Sequence, residues 1–245
     1  MREMTGVVLI TGAARRIGAA IARELHSAGL NVVLHYRSSG AEARALEKEL
    51  NRNRSGSAHC IRANLLSLPA LEKLAAEAYE RWNRLDALVN NASSYFKTPF
   101  GQITEEQFDD LLGSNLKAPL LLTQACARLM KQGVVVNIAD IHASLTMKNH
   151  MVYCAAKAGL VSLTENLARE LAPRIRVNAV APGHILWASD NTMTEAQRAA
   201  EVARVPLARM GTPEDIARAV RYLVSPAAAY VTGVTLPVDG GLRLA

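Results

Sequence analysis

Three residues in "VVNIADIHASLTMKNHMVYCAAKAG", Val135–Gly159, have types that can move a proton. Tyr153 and Lys157 are four apart, so on a helix they share one face. A protonated lysine beside a phenol favours the phenolate. It is expected to lower the Tyr153 pKa from its ordinary value of about 10 toward the working range. Tyr153 would then be a general acid in a reduction. Asp140 precedes the tyrosine, at the end of an apolar run. It could orient Tyr153 or a water, or relay a proton. It could also cap the loop Ile141–Ser144 through its side chain. Asn115, in "SNLKAP", begins a helical stretch. There it is either an N-cap or the holder of a water near Lys157.

A second group of residues suits a phosphate. "TGAARRIG", Thr11–Gly18, joins an apolar strand to a helix. Gly12 permits a tight turn and Gly18 allows close helix–strand packing. The free N–H groups and dipole of a helix that starts at Ile17 favour a pyrophosphate. Arg15 and Arg16 add positive charge. The next strand ends in "HYRSSG", His35–Gly40. A bare ribose usually meets an acid there, whereas this chain offers Arg37 and Ser38. A guanidinium and a hydroxyl suit a 2′-phosphate, which favours NADPH/NADP+ over the unphosphorylated cofactor. Alone, Arg37 could also be a solvated surface residue, the lesser of the two readings. "NNAS", Asn90–Ser93, could hold backbone geometry or line a cofactor groove. Asn64 could meet an adenine. The candidate cofactor surface thus comprises Gly12, Arg15, Arg16, Ile17, Gly18, His35, Tyr36, Arg37, Ser38, Asn64, Leu65, Asn91, Ala92, Ser93, Tyr153, Lys157, Pro182 and Gly183.

The elements that must position these groups are legible as apolar, β-branched runs alternating with helical patterns. Val7–Thr11, Asn31–Tyr36, Ala58–Ala63, Ala87–Asn90, Val134–Ile138 and Arg176–Val180 read as buried parallel strands, with a last one near Val234–Val238. Helical stretches include Ile17–Ala28, Gly40–Asn51, Leu68–Arg84, Asn115–Lys131 and Met151–Leu171. This alternation predicts an α/β fold with a parallel sheet covered on both faces. Ligands bind such sheets at the carboxyl ends of the strands, near the switch point.

The chain has 245 residues, 50% of them apolar, enough for one domain with a substantial core. It shows no linker, repeat or low-complexity tract that would divide residues 1–245. The net charge of +6 comes from scattered Lys and Arg, which argues against nucleic-acid binding and suits a basic pocket for an anionic ligand. The start lacks a signal-peptide pattern, and no apolar run has the length of a membrane span. Three cysteines without metal-ligand spacing fit a cytoplasmic protein. His142, His150 and His184 read as loop or surface residues rather than a metal site.

Taken together, these residues resemble the short-chain dehydrogenase/reductase family along nearly the whole chain. The resemblance rests on TGAARRIG, NNAS, Asn115, Tyr153-x-x-x-Lys157, "RVNAVAPGHI" at Arg176–Ile185 and "PVDGGL" at Pro237–Leu242. It implies a Rossmann-type doubly wound sheet of about seven strands, a nicotinamide cofactor and a homotetramer. It also implies that Tyr153 donates the proton, that Lys157 binds the nicotinamide ribose, and that Asn115 supports the relay. Two positions depart from the usual pattern. Arg16 stands where a glycine is usual, and Asp140 where a serine is usual. Both departures resemble the pteridine reductase subgroup, as do HYRSSGAEA and NNASSY. That likeness implies pterin contacts from Arg16, Ser93, Asp140 and Tyr153, and stacking by Tyr95. The loop after Gly183, "HILWASDNTMTEAQ", departs from the subgroup's pattern, and within it Trp187 is a candidate wall of the substrate pocket. The implied activity is NADPH-dependent reduction of a dihydropterin or dihydrofolate. The competing readings are reduction of a ketone, such as a 3-oxoacyl thioester, and a non-enzymatic NADP-binding sensor.

Overall fold

The computed structural model describes residues 4–186 and 194–245. Its strands are β1 (Val7–Ile10), β2 (Asn31–Tyr36), β3 (Ala58–Arg62), β4 (Ala87–Asn90), β5 (Gly133–Ile138), β6 (Ile175–Pro182) and β7 (Thr235–Val238). All pair in parallel, in the order β3-β2-β1-β4-β5-β6-β7. The helices between them are α1 (Arg16–Ser27), α2 (Gly40–Asn53), α3 (Leu68–Glu80), α4 (Glu105–Leu112), α5 (Ala118–Leu129), α6 (Met151–Leu171), α7 (Glu195–Ala203) and α8 (Pro213–Val224).

Strand periodicity sends alternate side chains to opposite layers. Val8 and Ile10 of β1, with Val134 and Val136 of β5, join the core formed with Leu25 of α1, Leu50 of α2 and Val220 of α8. Val7 and Leu9, with Val135, join the other core with Leu74 of α3, Leu122 of α5 and Ala168 of α6. Burying each such Leu or Val contributes about 1.5–3 kcal/mol. The sheet is therefore a two-sided core with its strand ends left to carry loops.

Two helix boundaries differ from expectation by more than two residues. The stretch expected to be helical from Asn115 opens instead with a π-helical turn, Gly113–Lys117, that links α4 to α5. Asn115 is thus an interior residue of a wide turn rather than an N-cap. The helix expected to reach Arg84 ends at Glu80, and Asn83 takes a left-handed φ of 51° that a continuing helix forbids. Among the described residues, no helix is long and apolar enough to cross a membrane.

Candidate active site

The chain builds β1, β2 and β3 outward in one direction, then returns to place β4 on the other side of β1. That reversal leaves a crevice at the carboxyl ends of β1 and β4. The two loops there are tied together. Thr11 Oγ1 accepts from Asn91 N at 2.9 Å and Ala92 N at 3.0 Å. Asn91 Nδ2 donates to the carbonyls of Thr11 (2.8 Å) and Gly12 (3.2 Å). Of the two roles open to Asn91, its side chain performs the structural one.

The turn into α1 fits a dinucleotide phosphate. Gly12 has a φ of 63°, and a Cβ on Gly18 would run into the Gly12 carbonyl and lie 2.7 Å from Asn91 Nδ2. α1 also begins without a side-chain cap or an acidic residue in its first turn. By contrast, α4, α7 and α8 each carry a capping box with acids in the first turn. An uncapped N-terminus keeps N–H groups available for an anion. Arg16 has a φ of 53°, which explains why glycine is usual at this position. Holding a non-glycine residue there costs about 1 kcal/mol.

The exposed cations are spread along this edge. Arg15 Nη1 lies 3.6 Å from Glu42 Oε1. Arg37 and Ser38 are exposed just beyond β2, and the Arg37 carbonyl accepts from Arg62 Nε at 3.1 Å. Tyr36, Ile17 and Leu65 are half-buried, with Ile17 and Leu65 packed against opposite cores. Asn64 is exposed, and its Oδ1 accepts from Leu66 N in a local turn. Pro182 ends β6, and Gly183 N donates to the Val238 carbonyl. A Cβ on Gly183 would come 2.7 Å from Asp239 Cα. Ser93 is exposed on the loop after β4.

His35, grouped with the cofactor surface, is instead a buried strut. Gly12 N donates to its Nδ1 at 3.1 Å, so Nε2 carries the ring proton and donates to the Ala63 carbonyl at 3.2 Å. Burial lowers its pKa from 6.5 to about 4, against the opposing pull of the Ala63 bond. A second buried polar chain crosses the middle of the sheet. Asn90 Nδ2 donates to Thr123 Oγ1 (3.2 Å) and to Asn137 Oδ1 (2.9 Å), and Asn137 Nδ2 donates to Thr164 Oγ1 (2.9 Å).

β5 and α6 bring the proton-transfer candidates together. Tyr153 Oη donates to Asp140 Oδ2 at 2.7 Å. Asp140 Oδ1 accepts from His142 N (2.9 Å) and His142 Nδ1 (2.8 Å). Asp140 therefore caps the short 3₁₀ turn Ile141–Ala143 and binds the phenol at the same time. Its two proposed roles coexist on its two oxygens. Burial alone would raise its pKa, but the bonds from His142 and Tyr153 outweigh that and hold it below the usual carboxylate range.

The expectation that Lys157 draws the Tyr153 pKa down fails in this geometry. Lys157 Nζ donates to the Ile138 carbonyl at 2.8 Å and lies 5.6 Å from the Tyr153 ring centroid. Burial, followed by the Asp140 charge and hydrogen bond, raises the Tyr153 pKa well above its ordinary value. Lys157 is itself buried and lowered to about 8, with Asp140 partly opposing the shift. The site thus presents a phenol that keeps its proton.

Around this group, Asn115 Nδ2 donates to the carbonyls of Ser94 (2.9 Å) and Leu111 (3.0 Å). It pins the loop after β4 to the π-helical turn, which packs on α6. Its Oδ1 is buried without a hydrogen-bond partner among the described residues. Tyr95 stacks on His150 at 4.9 Å, meets Tyr153 edge-on at 5.0 Å and donates to Met147 Sδ at 3.5 Å. His150 is therefore a buried aromatic neighbour of the site rather than a surface residue. His142 is likewise drawn into the site, and its D-x-H spacing was the available signal: an acid capping residue i+2 also meets that residue's ring. Trp187 lies outside the described residues.

These features define a dinucleotide-binding fold with a tyrosine–lysine site at the ends of its central strands. A family model described as enoyl-(acyl carrier protein) reductase matches residues 12–243. The chain is 38% identical over 242 residues to a 3-oxoacyl-[acyl-carrier-protein] reductase of Synechocystis sp., covering 96% of each. It is 36% identical over 240 residues to the 3-oxoacyl-[acyl-carrier-protein] reductase FabG of Aquifex aeolicus, again covering 96% of each. An uncharacterized oxidoreductase of Methylorubrum extorquens is 36% identical over 249 residues, covering 99% of this chain and all of the relative. The chain belongs to the short-chain dehydrogenase/reductase family and is an oxidoreductase of the NAD(P)-dependent type. None of these three relatives is described as acting on a pteridine.

Proposed function

We propose that the chain reduces a pteridine ring at the expense of NADPH, taking a dihydropterin or dihydrofolate to its tetrahydro form. The observation that carries this reading is the 2.7 Å hydrogen bond from Tyr153 Oη to Asp140 Oδ2. When bound along the α1 turn, NADPH supplies the hydride. Arg37 and Ser38, exposed beyond β2, are the residues to hold its 2′-phosphate.

The remaining chemistry belongs to the chain. A ketone oxygen gains negative charge during reduction, and a carboxylate beside it opposes that charge where a hydroxyl would donate to it. A ring C=N bond becomes an amine whose nitrogen must take a proton, and nearby negative charge favours that uptake. Tyr153, with its pKa held high, carries the proton at neutral pH and gives it to that nitrogen. Tyr95, half-exposed and braced by His150, offers aromatic surface to a flat heterocycle. Arg16 and Ser93, both exposed beside the crevice, take the substrate contacts that the pteridine reductase likeness implies.

The curated relatives favour a second reading, reduction of a 3-oxoacyl thioester, and they do so over nearly the whole chain. The site and the relatives therefore point to different substrates for one reductase. A substrate panel separates them: NADPH oxidation with dihydrobiopterin, dihydrofolate and an acetoacetyl thioester, with an NADH control. Turnover of the dihydropterin or dihydrofolate is expected. Turnover of the thioester alone would establish the second reading.

A further inference from the structure

The end of β3 carries a guanidinium beside the residues assigned to the 2′-phosphate. Strands β2 and β3 pair with Tyr36 opposite Arg62, so Arg62 closes β3 next to the residue that precedes Arg37. Cys60 packs against the core shared with α1 and α2, while Ile61 joins the opposite one. Strand alternation therefore turns Arg62 to the side of α1 and α2. Its Nε donates to the Arg37 carbonyl at 3.1 Å. A guanidinium has five N–H donors, and this bond uses one. The remaining four, on Nη1 and Nη2, lie at the exposed strand end beside the Arg37 backbone.

The same corner gathers more positive charge than its acids balance. Arg44 of α2 reaches back over the start of its helix: a Cβ on Gly40 would lie 3.1 Å from Arg44 Nη1 and 3.2 Å from the Tyr36 ring. Arg37, Arg44 and Arg62 have no ion-pair partner among the described residues, whereas Arg23 of α1 and Arg221 of α8 each bind a glutamate. The acids of α2 nearby are engaged elsewhere. Glu42 lies 3.6 Å from Arg15, and Glu47 accepts from Cys60 N at 3.0 Å. Cations gathered in this way repel one another unless an anion joins them. Resting on the reading of NADPH as the cofactor, and independently of the pteridine reading, we infer that Arg62 binds the 2′-phosphate together with Arg37 and Ser38 and so selects NADPH over NADH. Its planar fork offers a phosphate two parallel N–H bonds, and the Nε bond to Arg37 holds that fork in place before the cofactor arrives. An unphosphorylated ribose gives this fork no anion to bind, so Arg62 adds affinity for NADPH and none for NADH.

The test is direct binding, with no second substrate present. NADPH and NADH are titrated by fluorescence into the full chain and into Arg62→Gln, Arg62→Lys and Arg169→Gln. Arg169 is exposed in the last turn of α6, which leads to the amino end of β6, so its loss removes the same charge from the far edge of the sheet. The unaltered chain should bind NADPH more tightly than NADH, and equal affinities there would overturn the cofactor reading and the inference with it. Given that preference, Arg62→Gln should raise the Kd for NADPH about tenfold or more and leave the Kd for NADH within about twofold. Arg62→Lys keeps the charge without the fork and should fall between the two; Arg169→Gln should leave the ratio unchanged. An unchanged NADPH-to-NADH ratio in Arg62→Gln would overturn the inference while leaving the cofactor reading intact. Equal weakening of both cofactors would do the same, since that marks a residue that only ties down the loop after β2. So would an equal shift in Arg169→Gln. If Arg62→Gln does not fold, an unchanged ratio in Arg62→Lys decides against the inference and a reduced one supports it.

Discussion

Acidifying the protein is expected to weaken it through one buried imidazole. His35 is 2% exposed, accepts from Gly12 N and donates to the Ala63 carbonyl. Protonation would put a second hydrogen on Nδ1, where the Gly12 N–H already points. The folded pKa is about 4 and the ordinary value 6.5. Between these values the unfolded chain holds a proton that the native one refuses, so stability falls as pH falls through the window. The full gap corresponds to about 3 kcal/mol, and at pH 5 about 2 kcal/mol of it is already lost. For a chain of this size that lowers Tm by about 4–8 °C. Other depressed histidines, His26 and His184, add to any acid sensitivity, so the comparison must be with His35→Gln. Urea unfolding at pH 7.5 and pH 5 should show a loss in the unaltered chain that exceeds the loss in His35→Gln by about 2 kcal/mol. NADPH affinity should fall over the same window, because Gly12 opens the phosphate turn. Equal acid losses in the two proteins would refute the strut assignment.

Three further outcomes follow from the same contacts. Gly18→Ala should weaken NADPH binding about tenfold or more in a fluorescence titration, because its Cβ meets the Gly12 carbonyl and the Asn91 amide; unchanged affinity would count against the cradle. Asn137→Leu removes one partner each from Asn90 and Thr164, and denaturant unfolding should show a loss of about 2 kcal/mol or more. Tyr153→Phe should reduce turnover by about a hundredfold or more while NADPH still binds, as rapid-mixing assays and titration would record. Full activity in that variant would remove Tyr153 as the proton donor.

Much of the fold was legible because its signals are local. The alternation that sends Val8 and Ile10 to one layer and Val7 and Leu9 to the other lies within a single strand. Gly18 could be read as a close-packing glycine from its place after that strand. What escaped reading depends on partners far apart in sequence. The contact of His35 with Gly12 spans 23 residues, and those of Thr11 with the loop after β4 span about 80. No window of sequence contains both sides of either contact. The π-helical turn at Asn115 escaped for a different reason, since its residues look like an ordinary helix start. The Tyr153–Lys157 spacing correctly placed both residues on one helix, but spacing says nothing of direction. The lysine turns to a carbonyl and the phenol to Asp140, which reverses the expected pKa shift.

The central claim is that the carboxylate at position 140 directs this reductase to a ring C=N bond rather than a carbonyl. Its most direct test is the ratio of kcat/KM for dihydrobiopterin to kcat/KM for an acetoacetyl thioester, in the unaltered chain and in Asp140→Ser. The unaltered chain should prefer the pterin, and Asp140→Ser should shift that ratio by about a hundredfold or more toward the thioester. A wild-type preference for the thioester, or a ratio that Asp140→Ser leaves unmoved, would contradict it.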